Sequence, residues 1–411
     1  MKKILFILFI FCMFALTSWS QKITIKTGIE VLKEENFKVL QGKRVGLITN
    51  PTGVDNGMKS TIDILHQAPN VKLVALFAPE HGVRGDAHAG DNIENTFDAT
   101  TGVPVFSLHG KTRIPTPEML DGIDVLVYDI QDIGCRSFTY ISTMGLSMQA
   151  AAEKGIEFVV LDRPNPLGGL KVEGGLVEDK YISFVSQFSI PYLYGLTCGE
   201  LALLLNGEKM LKQQCKLHVV KMKAWKRKMT YDQTGLQWIP SSPHIPQPIS
   251  SAFYPISGIL GELGYVSIGV GYTIPFQVFA AEWLKADELA VRLNALQLPG
   301  IYFRPIYFKP FYSVGQGKEY QGVQVHLMDY EKARLSEIQF YVMQEIARLH
   351  PDKAVFDNAD EKRYNMFDKV SGSDYVRLTF TKNNRFADIQ DFWYNQVEPF
   401  KVISKKYYLY K

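Results

Sequence analysis

The sequence predicts an α/β protein built on a parallel sheet. From Gly42 onward, apolar runs rich in Val, Ile and Leu alternate with helical stretches, and turn residues bound each run. Such runs are typical of strands buried on both faces, and their alternation with helices indicates parallel pairing. The predicted strands are RVGLITN, VKLVALFA, VPVFSL, DVLVYDI and IEFVVLD, with helices near residues 60–66 and 140–154.

A second, smaller α+β domain is predicted beyond residue 240. The segment WIPSSPHIPQPISS at 238–251 contains prolines that exclude a regular helix or a central strand, so it marks a domain boundary. Apolar strands such as GVQVHLM, aromatic segments such as YFRPIYF and two helical stretches follow it. A chain of 411 residues is also longer than one core usually holds. We therefore expect one domain over 21–240 and another over 241–411, with a cleft between them.

The first twenty residues, MKKILFILFIFCMFALTSWS, have the pattern of a signal peptide. An uncleaved membrane anchor is the alternative, but the apolar stretch is shorter than the roughly 20 residues that span a bilayer. We expect an exported protein, periplasmic or secreted, with no membrane insertion after cleavage. The net charge of +3, without any run of five basic residues, argues against a nucleic-acid partner.

Several ligand classes lack their motifs. The first strand is not followed by GxGxxG, and the chain contains neither GxxxxGK[ST] nor GxSxG. The sequence therefore indicates no dinucleotide, no nucleoside triphosphate and no esterase serine.

Polar residues follow the predicted strands at their carboxyl ends, where open α/β sheets bind their ligands. They are Asn50, Glu80, His81, Gln131, Asp132, Asp162, Arg163 and Asn165. We expect these side chains to gather along one edge of the sheet and to line the cleft.

Within ALFAPEHGVRGDAHAGD, Glu80 ends an apolar strand and suits a general acid, because partial burial raises the pKa of a carboxyl. An ion pair with Arg84 that braces the loop is the alternative. His81, Asp86, His88 and Asp91 could instead bind a metal, but their spacing matches no known ligand pattern, and we predict no metal site. His81 is then expected to orient Glu80 or to bind substrate.

The segment DIQDIGCRSFTYIS offers a second carboxylate, Asp132, while Asp129 is as well explained by capping backbone donors at its strand end. Carboxyls on adjacent or next-adjacent strand ends lie about 5 to 10 Å apart. That interval covers both the retaining and the inverting arrangement of glycosidases.

Three arginines, Arg84, Arg136 and Arg163, are expected near the same edge, although one of them could be a structural tie. The guanidinium fork matches carboxylate or phosphate in a two-point contact. From the residues alone, the chain is an exported α/β protein whose cleft binds an anionic small molecule or glycan.

Longer motifs resemble the exo-β-N-acetylmuramidase family of glycoside hydrolases. They include LITNPTGV, FAPEHGVRGDAHAG, LHGKTRIPTPEML, DVLVYDIQDIGCRSFTYISTM and VVLDRPNPLGG, and the similarity extends to FDKVSGSDYVR and ISKKYYLY. The resemblance implies a Rossmann-like domain joined to a smaller domain, with the site in the cleft. It also implies removal of terminal β-1,4-linked N-acetylmuramic acid from the non-reducing end of peptidoglycan fragments, without a cofactor.

By motif match, Glu80 is the expected catalytic acid or acid/base, with Asp132 and His81 as further catalytic candidates. The expected sugar-binding residues are Asn50, Arg84, Gln131, Arg136, Tyr140, Asp162, Arg163, Asn165 and Glu262. The lactyl carboxylate of N-acetylmuramic acid gives the arginines a reason to converge.

One segment departs from the family pattern. Relatives typically read LEGTNVSEGRGTTRPF where residues 260–276 read LGELGYVSIGVGYTIPF. Glu262 keeps the first acid, but Ile268, Val270 and Ile274 replace a glutamate and two arginines. Tyr265 and Tyr272 then either stack on a pyranose ring or pack in the core. A non-catalytic binding protein for muropeptides or another anionic glycan, built on the same scaffold, is the alternative function.

Overall fold

The computed structural model describes residues 25–80, 82–85 and 96–411. The predicted signal peptide at 1–20, His81, Asp86, His88 and Asp91 lie outside these residues. In the described part of the chain, no helix combines the length and the apolar character that crossing a bilayer requires.

The first domain contains a seven-stranded sheet in the order β3-β4-β2-β1-β5-β6-β7. Every neighbouring pair is parallel except the antiparallel β3–β4 pair. The strands are β1 (Arg44–Thr49), β2 (Lys72–Ala78), β3 (Thr96–Phe97), β4 (Pro104–Ser107), β5 (Val125–Asp129), β6 (Glu157–Leu161) and β7 (Lys216–Val220). All five predicted strands are confirmed. The edge strand β7 was not predicted, because its side chains are partly exposed and it lacks a continuous apolar run.

Helices cover both faces of this sheet. They are α1 (Gly28–Glu34), α2 (Thr61–Gln67), α3 (Tyr140–Lys154) and α4 (Cys198–Gly207). Alternate strand residues point to opposite faces: Leu47 and Val127 pack in the core beneath α1 and α2, whereas Tyr128 and Val160 pack in the core beneath α3 and α4. Both faces of the central strands β1, β2, β5 and β6 are therefore buried, as their continuous apolar runs indicated.

The second domain has an antiparallel sheet in the order β8-β10-β9. Its strands are β8 (Val278–Ala281), β9 (Ile301–Phe308) and β10 (Tyr320–Leu327). Its helices are α5 (Ser250–Gly261), α6 (Ala286–Ala295), α7 (Ile338–Leu349), α8 (Val355–Asn358), α9 (Tyr364–Ser371), α10 (Asp374–Asn383), α11 (Gln390–Tyr394) and α12 (Val397–Ser404). The predicted fold class, a parallel α/β domain with a smaller second domain, is confirmed.

The two domains share buried contacts. Tyr192 of the first domain packs against Trp393 of the second, with ring centroids 6.3 Å apart, and both side chains are fully buried. The chain also returns to the first domain at its end, where Val397 and Phe400 join the core beneath α3 and α4. A single boundary near residue 240 therefore does not describe these last residues.

Candidate active site

A cavity of about 370 Å³, the interdomain cavity, lies between the two domains. The first domain contributes polar residues that include Glu80, Ser137, Thr139 and Tyr140, and the second contributes Tyr254, Glu262 and an aliphatic wall. Two glutamates from different domains thus line one cavity.

Glu80 reaches this cavity because it follows β2 at the carboxyl edge of the sheet. The Thr139 hydroxyl donates a hydrogen bond of 3.1 Å to Oε2 of Glu80, and Nε2 of His109 lies 3.8 Å from Oε1. The Glu80 side chain remains 23% exposed. Its carboxyl group is thus held from two sides while it stays open to a ligand.

Glu262 is the second carboxyl group in the cavity. It follows α5 directly, and its backbone oxygen accepts a 3.0 Å hydrogen bond from Nη1 of Arg363. Burial raises the pKa of Glu262 to about 7, although the positive charge of Arg363 opposes the rise. Glu262 therefore holds a proton at near-neutral pH, which is the property of a general acid.

One wall of the cavity is aromatic. Phe138 meets Tyr140 edge-to-face at 5.0 Å and Tyr254 at 5.7 Å, and Tyr254 meets Phe276 at 4.9 Å. The Tyr140 hydroxyl donates a 2.5 Å hydrogen bond to the carbonyl of Ser241. These rings supply the apolar surface on which a pyranose ring can pack.

Another part of the lining, the aliphatic wall, comes from the segment that departs from the family pattern. Val266, Ile268 and Val270 line the cavity. Gly261 makes room for Ile268, because a Cβ atom at Gly261 would lie 2.3 Å from Cδ1 of Ile268. Within the described part of the chain, no Lys or Arg lines this cavity.

Neither tyrosine of that segment lies at the cavity. Tyr265 packs against Trp283 with ring centroids 5.5 Å apart, and Tyr272 packs against Phe308 at 4.6 Å. The core-packing alternative thus describes both rings.

The three predicted arginines are bound to other parts of the protein. Arg84 pairs with both carboxylate oxygens of Asp98, at 2.9 and 3.0 Å, and with Asp63 at 3.3 Å. Its partner is therefore not Glu80. The structure does not present Arg84 to the interdomain cavity.

Arg136 and Arg163 are 1% and 5% exposed. Arg136 donates hydrogen bonds to backbone carbonyls on both domains, those of Gly175 and Ile190 in the first and Val370 and Ser371 in the second. Arg163 forms a two-point ion pair with Asp129, at 2.5 and 3.0 Å. Arg136 thus ties the domains together, Arg163 neutralises a buried carboxylate, and neither lines the interdomain cavity.

Asp132 and Asp162 are buried beneath the sheet edge and do not line the interdomain cavity. Oδ2 of Asp132 accepts hydrogen bonds from the Tyr194 hydroxyl and from the backbone N–H of Gly134. Asp162 accepts a 2.6 Å hydrogen bond from the Tyr410 hydroxyl. Burial raises the pKa of Asp132 to about 6 and that of Asp162 to about 7. The expected second carboxylate, Asp132, thus does not line the cavity that Glu80 and Glu262 share.

The three predicted amides hold loops. Oδ1 of Asn50 accepts from the backbone N–H of Thr52 at 3.0 Å, and Oδ1 of Asn165 accepts from that of Leu167 at 2.9 Å. Nε2 of Gln131 donates to the carbonyls of Asp132 and Pro164. Of the predicted residues that the structure describes, it brings Glu80, Tyr140 and Glu262 to one cavity, and Gln131 and Arg163 line a different one.

Sequence reasoning did not identify His109, Thr139 or Tyr254 as site residues. His109 follows β4, so the rule that found Glu80 also applies to it. Tyr254 lies inside α5 and carried no signal of function. Among the described residues, no group of three or more His, Cys, Asp or Glu side chains is arranged to hold a metal ion.

The chain is similar to proteins of known name. Residues 45–249 match the family model described as exo-beta-N-acetylmuramidase NamZ, N-terminal, and residues 252–410 match the corresponding C-terminal model. The chain is 44% identical over 391 residues to the peptidoglycan beta-N-acetylmuramidase NamZ of Bacillus subtilis (strain 168), across 95% of this chain and 92% of that protein.

Two crystal structures of DUF1343 family proteins from Bacteroides fragilis NCTC 9343 have the same fold. One is 71% identical, with a TM-score of 0.92, and the similarity covers 95% of this chain and 100% of that one. The other is 30% identical, with a TM-score of 0.74, and the similarity covers 94% of this chain and 99% of that one. The resemblance found in the motifs is confirmed by the family models and by the Bacillus relative, and this chain belongs to the exo-β-N-acetylmuramidase NamZ family of glycosidases.

Proposed function

We propose that the protein is an exo-acting glycosidase that releases terminal β-1,4-linked N-acetylmuramic acid from the non-reducing end of peptidoglycan fragments. Family membership over both domains supports the substrate class. The observation that carries the proposal is the pair Glu80 and Glu262 on one cavity. Most glycosidases use two catalytic carboxyl groups that flank the scissile bond.

The two carboxyl groups have different surroundings, which separates their roles. Glu262 shares the cavity with aliphatic side chains, and burial raises its pKa to about 7, so a fraction of the molecules carry its proton at neutral pH. We assign it the donation of a proton to the glycosidic oxygen as the C1–O bond breaks. Glu80, which accepts the Thr139 hydrogen bond, then acts on C1, either by taking a proton from the attacking water or as the nucleophile. His81 stays a candidate for orienting Glu80 or binding substrate.

The aliphatic wall bears on which sugar is preferred. Ile268 and Val270 give this side of the cavity no charge to pair with a lactyl carboxylate. Methyl groups of the N-acetyl and lactyl substituents suit such a wall, because burying them removes apolar surface from water. We therefore assign binding of these methyl groups to the aliphatic wall.

The purified protein is incubated with a disaccharide of N-acetylmuramic acid and N-acetylglucosamine, and free N-acetylmuramic acid is measured. Its release supports the proposal. Saturable binding of the disaccharide without release would instead support the alternative of a glycan-binding protein on this scaffold. The anomer that appears first, read by NMR, decides between the two roles of Glu80.

We also propose that the chain is exported, on the pattern of residues 1–20. Amino-terminal sequencing of the protein recovered from the periplasmic or extracellular fraction checks this. A chain found in the cytoplasm with its leader intact would contradict it.

A further inference from the structure

A second cavity of about 330 Å³ lies at the carboxyl ends of β1, β5 and β6, and it shares no lining residue with the interdomain cavity. We call it the switch-point cavity. Its polar lining includes Thr27, Thr52, Asp55, Gln131 and Arg163. Thr52 follows β1 and Gln131 follows β5, the two strands between which the order of the sheet reverses. Open α/β sheets bind ligands in the crevice at such a point.

Gln131, which lines this cavity, has a side-chain acceptor atom without a partner. Its Nε2 donates to the carbonyls of Asp132 at 2.8 Å and Pro164 at 2.7 Å, and these two bonds fix the orientation of the amide. Oε1 is buried and accepts no hydrogen bond from the described residues. A buried acceptor without a partner costs about 1 to 3 kcal/mol, a cost that a donor on a ligand removes.

The charges around the cavity are already compensated. Arg163 uses Nε and Nη2 to bind Asp129, and Nη2 also donates to the carbonyl of Val54. Oδ2 of Asp55 pairs with Lys33 at 2.5 Å. Among the described lining residues, no charge is left unpaired for an ion, which favours a neutral ligand.

Donors, acceptors and apolar faces stand close together in the lining. Arg163 donates to described residues only through Nε and Nη2, which leaves the N–H groups of Nη1 as donors. They complement the acceptor atom of Gln131. Tyr231, Leu236 and Ile239 add apolar surface. A hydroxyl group donates and accepts at once. The volume lies at the lower end of the range for small-molecule sites.

We propose that the switch-point cavity binds a neutral polyhydroxylated ligand of monosaccharide size, at a site separate from the interdomain cavity. The test uses the full chain with glucose and N-acetylglucosamine, by calorimetry and by crystal soaking. We expect saturable binding in the millimolar range, with the sugar hydroxyls on Gln131 Oε1 and Arg163 Nη1.

Two variants locate the binding. Ile239 lines the cavity and is partly exposed, so the larger side chain in Ile239→Trp should fill the cavity while the melting temperature stays unchanged. Sugar binding should weaken at least about tenfold, about 1.4 kcal/mol. Glu262→Gln, in the interdomain cavity, should leave binding at the switch-point cavity unchanged.

Three results would overturn the proposal. They are no binding of either sugar at tens of millimolar, a soaked crystal with only water in the cavity, and binding that survives Ile239→Trp but is lost in Glu262→Gln. If Ile239→Trp lowers the melting temperature, the position of the sugar in the soaked wild-type crystal decides.

Discussion

Glu80 and Glu262 line one cavity from different domains, although about 180 residues of sequence lie between them. Glu80 stands at the end of a parallel strand, and Glu262 follows a helix of the second domain. Each domain contributes one of the two glutamates. Substituting Glu80 or Glu262 alone therefore tests the role of each carboxyl group separately.

Glu262→Gln should lower kcat for the disaccharide by roughly 10²- to 10⁴-fold, because the amide cannot donate the proton to the glycosidic oxygen. A nitrophenyl N-acetylmuramide, whose leaving group needs little protonation, should lose much less. Steady-state kinetics on both substrates check this. Equal losses on the two substrates would contradict the role of Glu262 as acid.

The activity should also fall as the pH rises through about 7, the pKa of Glu262, because the acid must be protonated to act. A profile of kcat/KM from pH 5 to 9 measures this limb. Glu331→Gln, at an exposed position outside the interdomain cavity, is the control and should keep the wild-type profile.

Glu262 should make the stability of the fold depend on pH. Its pKa lies near 7 in the folded protein and near 4.5 as the ordinary value. The folded state therefore keeps a proton that the unfolded state loses, and the free energy of unfolding falls as the pH rises between these values. This decrease in the free energy of unfolding should be on the order of 1 kcal/mol, since the carboxyl remains partly open to solvent. It should be absent in Glu262→Gln. Urea unfolding at pH 5 and pH 8 measures it, and equal wild-type-to-variant differences at both pH values would contradict this account.

Arg163→Met should destabilise the fold by about 3 to 5 kcal/mol, because Asp129 would remain buried without its ionic partner. Arg113→Met is the matched control, since Arg113 is exposed and stacks over Phe184 at 4.1 Å. Denaturant unfolding of both variants gives the comparison. If Arg163→Met lowers the free energy of unfolding by less than about 1 kcal/mol, the ion pair with Asp129 is not the main role of Arg163. The predicted role of Arg163 in binding an anion would then be supported instead.

The aliphatic wall offers a test of specificity. Val270→Arg places a cation on the interdomain cavity, and it should lower KM for substrates with a free lactyl carboxylate while leaving N-acetylglucosaminides unaffected. Val270→Met, of similar length without charge, is the control. An equal change for both kinds of sugar would show that only the shape of the cavity matters.

The sheet could be predicted from sequence because its strands are buried on both faces, and the position of Glu80 follows from the end of β2. The partners of the three arginines could not be predicted, because the sequence shows the type of a side chain but not what it contacts. Asp98 binds Arg84, and carbonyls more than 230 residues away bind Arg136. Glu262 was predicted as a sugar-binding residue but not as the second carboxyl. It follows a helix of the second domain, and only the packing of the two domains brings it to the cavity that Glu80 lines, whereas Asp132 follows its strand closely enough to be buried.

The most direct test of the account is the rate of N-acetylmuramic acid release from the disaccharide by Glu80→Gln, measured beside the wild-type protein. Glu80→Gln keeps the size of the side chain and its hydrogen-bond acceptor for Thr139, so it should bind the disaccharide. We expect its release rate to fall at least about 100-fold with both the disaccharide and the nitrophenyl substrate. Full activity in Glu80→Gln would contradict the assignment of this cavity as the catalytic site.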